Sequence, residues 1–272
     1  MKVEVYNLVS IKAIFRNIVI FILFSPLVIM IGWSISSSWP WPNVLPKTLT
    51  LRGFNYAISP SAEGFIVLLR SAFLSLSVTI ITLVVSVPAA KALAFYQFKG
   101  KSLVKVLILL PLMVPMISVA MGVHISFIKL GIANTCFGVV LIHVLPGIPY
   151  GVKILMNVFE IIGDKIEHQG RVLGGSPIQV MVYITLPLLT PGLIIAGSMI
   201  YIISFSQYFI TFLIGGGRVV TYAMLLFPFI ESGDRTVASA LSIVFLISII
   251  LVLFISEKLV GNLYKNMSKY YV

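Results

Sequence analysis

Residues 160–189 read EIIGDKIEHQGRVLGGSPIQVMVYITLPLL, a polar, glycine-punctuated passage set between long apolar runs. Glu160, Asp164, Glu167 and Arg171 recur at spacings of four, three and four, which predicts one face of a helix. Ile162, Ile166 and Leu173 fall on another face, with Ile161 and Val172 beside it. Glu167 precedes Arg171 by four residues, the favourable order for an acid–base pair on a helix. Gly174-Gly175 then breaks the helix, because glycine adopts backbone angles that other residues resist. Ser176-Pro177-Ile178-Gln179 starts a second one, with a serine cap, proline at the first helical position and glutamine three after the cap. Pro187 disfavours helix at Leu186. The passage is expected to form two short helices around a glycine elbow.

Composition sets the frame around this elbow. Of 272 residues, 59% are hydrophobic and 10% charged, with mean hydropathy +1.10. An ordinary soluble domain carries about 25% charged residues. The chain therefore reads as an all-α polytopic membrane protein, a single transmembrane domain over 1–272 with the elbow region at 158–187. Six spans are expected at about 17–36, 65–96, 106–128, 135–152, 188–213 and 236–256. The N-terminal run is too long for a signal peptide, and no small-x-small cleavage site follows it. Pro88 lies near the inner end of span two, and Pro111 and Pro115 interrupt span three. Broken backbone at membrane depth is tolerated where neighbouring helices or a wet cavity satisfy it. Gly147 and Gly151 make a GxxxG pair that lets another helix come close. Trp33, Trp39 and Trp41 cluster where an interfacial aromatic belt is expected, rather than a sugar-stacking platform. The single cysteine, Cys136, excludes an internal disulfide and a Cys-pair metal site.

Charge placement orients the spans. With both termini in the cytoplasm, the inner segments hold Lys2, Lys12, Arg16, Lys91, Lys99, Lys101, Lys105, Lys153, Lys165, Arg171, Lys258, Lys265 and Lys269, 13 of the 19 basic residues. The outer segments hold Lys47, Arg52, Arg70, Lys129, Arg218 and Arg235. The excess of Lys and Arg places the elbow in the cytoplasm. It also accounts for the net charge of +11 without nucleic acid.

Gly174 is followed by nine residues and then Ile184-Thr185-Leu186-Pro187. That spacing resembles the cytoplasmic signature of type I permease subunits from binding-protein-dependent ABC importers, roughly Glu-Ala-Ala, three residues, Gly, nine residues, Ile-x-Leu-Pro. The first half departs from it: His168-Gln169-Gly170 occupies the Glu-Ala-Ala positions, and Glu167 lies one residue early. The passages PAAKALAFYQFKGK at 88–101, LLPLMVP at 109–115 and HVLPGIPY at 143–150 also look like the family, in particular its polyamine, ferric-iron and phosphonate branch. The resemblance implies that the elbow is a coupling helix docking into a cleft on an ATPase subunit. Carried over residue by residue, the coupling set is Glu167, His168, Gln169, Gly170, Arg171, Gly174, Gly175, Ser176, Ile184, Leu186 and Pro187. It implies as partners two ATPase subunits, which would hold the ATP and Mg, and an extracytoplasmic substrate-binding protein. It also implies a second homologous permease, identical or distinct, with a distinct chain favoured by the resembling branch. The implied location is the bacterial inner membrane, in contact with lipid.

The chain has no G-x-x-x-x-G-K-[ST] loop for nucleotide, no cofactor motif and no histidine pair spaced for a metal. No Ser–His–acid set can be argued from spacing, so the chain is expected not to be an enzyme. Ser204, Ser206, Gln207 and Thr211 make span five the most polar, and with His124 and His143 they are candidates for a translocation path. The competing reading is that buried polar residues bond between helices, at about 0.6 kcal/mol each. No acid lies within a span, and Glu257 sits at the inner end of the last. A multivalent cation would cross without a counter-charge, so an anionic or neutral solute such as a phosphonate is the expected substrate. Polyamine, ferric iron and thiamine are the alternatives. A secondary transporter would need intramembrane acids, and a membrane scaffold would need neither broken helices nor a polar span.

Overall fold

Backbone in lipid has to satisfy its own N–H and C=O groups, and this chain does so with helices. The computed structural model describes residues 2–39, 42–43, 45–59 and 63–268, with side chains from 15 to 258 within them. Trp41 and Lys269 lie outside the described residues, as do the side chains of Lys2, Lys12 and Lys265. The fold is all-α apart from one small hairpin, as expected. Two compact units share it, residues 1–65 with 226–246, and 66–225 with 247–272.

The first unit holds α1 (Lys2–Ser34), the antiparallel pair β1 (Ser36–Ser38) and β2 (Thr48–Leu49), α2 (Arg52–Ile58) and the start of the last long helix (Arg235–Ser268). Span one is the Phe15–Ser34 part of α1. Polar contacts tie this unit together. The Thr236 hydroxyl donates to Ser36 O at 2.6 Å. The Arg52 guanidinium donates to both carboxylate oxygens of Asp234, at 2.8 and 2.7 Å. Arg235 lies 5.0 Å from the Trp33 ring centroid, and Trp39 Nε1 donates to Asn43 O at 2.9 Å.

The second unit contains most of span two in α3 (Glu63–Phe95), then α4 (Lys101–Met113), α5 (Met116–Lys129) and α6 (Cys136–Ile162). It continues through α7 (Lys165–Val172), α8 (Pro177–Val180), a π-helical turn (Met181–Thr185), α9 (Leu186–Phe205) and α10 (Phe209–Gly215). The helices α11 (Tyr222–Glu231) and α12 (Arg235–Ser268) complete the chain. Among the described residues, five helices are long and apolar enough to cross a membrane, and a sixth span forms if α4 and α5 count as one.

The core of this unit is the packing of α6 against α3 and α9. In lipid, apolar side chains gain little by leaving one apolar medium for another, so small residues that admit close backbone approach decide the contact. Gly147 and Gly151 supply it, and their partners are Thr82 and Ser86 of α3 and Ile200 of α9. The facing side of α3 is a buried stripe of Ser71, Ser75, Thr79, Thr82 and Ser86. Three of these hydroxyls donate back to their own helix, Ser71 to Val67 O, Thr79 to Ser75 O and Thr82 to Val78 O, at 2.7–2.8 Å. They therefore pack as small residues with their polarity satisfied. Two apolar clusters flank the seam, one around Val78, Val139, Ile142 and Ile214, the other around Leu93, Leu155, Phe159 and Leu189.

Three span expectations need correction. Span three is broken at Pro115, as expected, into two helices meeting at 101°, because Pro115 lacks an N–H and forces Val114 into extended backbone (φ −85°, ψ 132°). Pro111 stays inside α4 and breaks nothing. Span four runs on through Pro146 and Pro149 to Ile162, ten residues beyond the expected 152, and stops at Gly163 (φ +73°). The fifth apolar run is not one helix: α9 ends at Phe205 and α10 begins at Phe209.

A Cβ on Gly151 would lie 2.5 Å from Ser86 Oγ and 3.0 Å from Ser86 Cβ, whereas one on Gly122 meets nothing within 4 Å. Gly151→Leu is expected to destabilise the chain by about 1–3 kcal/mol through overpacking, read as a lowered melting temperature in detergent, with Gly122→Leu leaving the melt unchanged.

Candidate functional site

The glycine elbow forms as two helical pieces. Its first piece, α7, ends in a Schellman motif: Gly175 N–H donates to Gly170 O at 3.0 Å and Gly174 N–H to Arg171 O at 2.9 Å. Gly174 has φ +88°, where a side chain would be strained. Ser176 and Gln179 make the expected capping box, with Pro177 at the first position. Gln179 N–H donates to Ser176 Oγ at 3.3 Å, and Ser176 N–H to Gln179 Oε1 at 2.8 Å.

The structure corrects the reading of the acid face. Glu160 belongs to α6, while Glu167 and Arg171 belong to α7, with Asp164 at its cap. Gly163 breaks the helix between them, so the four residues share no face. Glu167 is not paired with Arg171. Its Oε2 accepts from Lys91 Nζ of α3 at 2.6 Å and its Oε1 from the Thr185 hydroxyl at 2.7 Å. His168 faces Asp164 at 3.6 Å. The expected helix stop before Pro187 also fails, since the chain stays helical from Pro177 to Phe205. The π-helical turn at Met181–Thr185 explains why: one wider turn brings Pro187 into the first turn of α9, where a missing N–H is tolerated.

The elbow has an inside and an outside. Ile184 reaches Gly170, where a Cβ would stand 2.5 Å from Ile184 Cδ1; Leu186 is half-buried and Pro187 buried. His168, Gln169, Arg171, Gly174 and Ser176 are exposed, and Gly175 is half-buried. At the tip stand three apolar side chains, Val172 at 87% exposure, Leu173 at 88% and Ile178 at 76%. Sequence reasoning assigned Val172 and Leu173 to an apolar helix face and left Ile178 out of the site. Their position beside the glycine break was the available signal.

Three of the six path candidates meet in one buried node. His143 of α6 lies 3.0 Å from Ser204 Oγ of α9 through Nδ1 and 2.9 Å from Thr211 Oγ1 of α10 through Nε2. Thr211 donates its hydroxyl hydrogen to Gln207 O at 2.9 Å, so it accepts from His143 Nε2–H, and Ser204 donates to Nδ1. A neutral imidazole thus ties three helices together across the break after Phe205. Ser206 is exposed and donates to Ile202 O at 2.8 Å, Gln207 is half-buried, and His124 is half-buried on α5, outside the node. A cleft of about 420 Å³ opens elsewhere, between α3, α9 and the middle of α12, among Thr79, Thr190, Ser198, Tyr201 and Ser256 with aliphatic neighbours. None of the six candidates lines it. The helical spacing of Thr190, Ser198 and Tyr201, eight and eleven residues apart, was the missed signal.

No protein-family model matches the chain. It is 26% identical over 242 residues to a putative 2-aminoethylphosphonate transport system permease protein of Salmonella paratyphi A, covering 88% of this chain and 90% of the relative. It is 24% identical over 205 residues to a probable ABC transporter permease protein of Pyrococcus horikoshii, covering 66% and 73%. Among solved structures, it matches a chain of a bacterial ABC transporter involved in the import of the acidic polysaccharide alginate, with TM-score 0.73, 18% identity and coverage of 94% and 96%. The resemblance read from Gly174 to Pro187 is borne out: the chain is similar in sequence to ABC transporter permeases and shares the fold of a chain of a bacterial ABC transporter.

Proposed function

We propose that this chain is the transmembrane subunit of an ABC importer, forming half of a translocation path and coupling it to ATP hydrolysis by separate ATPase subunits. The observation that carries the reading is the apolar tip Val172, Leu173 and Ile178, exposed on a braced elbow between long membrane helices. Solvent-facing apolar side chains of this size mark a docking surface. The Lys and Arg excess on the elbow side supports a cytoplasmic elbow and cytoplasmic termini. Closure of two ATPase subunits around nucleotide would displace the tip, and the elbow would pass that displacement to α6 and α9. Such coupling requires that the ATPase contacts differ between two conformations. A second permease, favoured as a distinct chain, supplies the other half of the path. A binding protein outside delivers substrate, in line with the related importer solved in complex with an alginate-pentasaccharide-bound periplasmic protein.

The substrate is a small anionic or neutral solute, with a phosphonate first among them. The acids near the spans, Glu63, Glu160 and Glu257, stand at the ends of the apolar spans, so a polycation meets no intramembrane counter-charge. Relatives are named as permeases for 2-aminoethylphosphonate, molybdate/tungstate and trehalose/maltose, which are anionic or neutral cargoes.

Two measurements test the coupling role. Val172→Asp with Leu173→Asp should leave the fold intact and weaken co-purification of a co-expressed ATPase subunit at least tenfold, since each buried apolar side chain contributes about 1.5–3 kcal/mol. Retention at the wild-type level would overturn the docking role. Gly174→Val, which strains the backbone by roughly 1–2 kcal/mol, should lower substrate-stimulated ATP hydrolysis; unchanged stimulation would show that the elbow does not couple. For the substrate, uptake of 2-aminoethylphosphonate without spermidine is expected in reconstituted vesicles, and tight, productive spermidine uptake would refute the anionic or neutral assignment.

A further inference from the structure

The eight-residue helix α7 is poorly held by ordinary means. It lies between two glycines in the left-handed region, Gly163 (φ +73°) and Gly174 (φ +88°). A helix this short is not stable alone. Glu167 is its one buried residue, and a buried carboxylate costs free energy unless both oxygens are partnered. Both are: Lys91 Nζ lies 2.6 Å from Oε2, and the Thr185 hydroxyl donates to Oε1 at 2.7 Å and lies 3.3 Å from Val180 O. The Lys91 and Glu167 side chains are 15% and 10% exposed, so water screens the pair weakly. Lys91 stands in the last turns of span two, and Thr185 closes the π-helical turn at the root of α9.

We propose that Lys91 and Thr185 are positioning residues that latch α7, through Glu167, to the inner end of span two and the root of span five. In this arrangement Glu167 acts inside the permease and offers no free carboxylate oxygen to a partner. The latch gives the elbow a second mechanical connection, to span two, besides its covalent links to α6 and α9. Lys91 falls outside the coupling set read from the sequence, and its pairing with Glu167 spans 76 residues. The consequence for coupling rests on the transport reading; the latch itself does not.

Hydrogen exchange on the full chain in phospholipid vesicles tests the latch directly. Lys91→Met and Glu167→Gln should each raise amide exchange over 165–172 at least tenfold, and Thr185→Val about threefold, with exchange in α6 unchanged. The exchanged pair Lys91→Glu with Glu167→Lys should restore slow exchange. Unchanged exchange in the single variants, or a rise spread equally over α6, would overturn the latch. In complex with ATPase subunits, Lys91→Met should keep basal hydrolysis within twofold and lose at least tenfold of the stimulation by the binding protein. Full stimulation together with a loosened elbow would overturn the coupling consequence. If the wild-type chain associates with no ATPase, the transport reading fails while exchange still decides the latch.

Discussion

Close approach of helix backbones is the constraint on which the larger unit rests. Where Gly147 and Gly151 leave room, α6 lies against both α3 and α9. Lipid does not drive apolar side chains together as water does, so contact depends on shape and on the absence of unpaired polar groups. Ser71, Thr79 and Thr82 of the stripe on α3 meet both conditions, being small and bonded to their own helix, whereas Ser75 and Ser86 meet only the first, their buried hydroxyls having no hydrogen-bond partner. The elbow grows from the ends of these same helices, α6 before it and α9 after it.

Electrostatics are arranged by depth. At membrane depth the polar residues in the core are neutral, as in the His143 node, where one tautomer satisfies all three side chains. Full charges gather at the helix ends and beyond them, paired as Lys91–Glu167 in one unit and Arg52–Asp234 in the other. The first pair is buried and the second has one partner 60% exposed. An exposed pair contributes little to stability, while a buried one penalises every arrangement that separates its members. The buried pair therefore specifies where the elbow sits.

Proline acts in two ways here. Pro115 turns the chain by forcing Val114 into extended backbone. Pro146, Pro149 and Pro191 stay inside long helices. Pro187 is accommodated by a π-helical turn just before it, which keeps the second half of the elbow and α9 in one continuous helical run. A rigid connection of this kind transmits displacement, and a loose loop at Leu186 would absorb it.

Local chemistry was legible in the sequence. The capping box at Ser176, the break at Gly174, the number of apolar runs and the close-packing glycines of span four all follow from residue types at short spacing, where the causes are steric and immediate. Tertiary structure alone decided what depends on residues far apart in the chain. Glu167 stands four residues from Arg171 yet pairs with Lys91, because burial made a partner on another helix the better one. The histidine, serine and threonine chosen as path residues satisfy one another across three helices instead of lining the open cleft. Which prolines bend a helix also depended on whether neighbouring turns could widen, and no local pattern encodes that. Short-range stereochemistry is written residue by residue, whereas the partner of a buried polar group is chosen by whatever the fold brings within hydrogen-bonding distance.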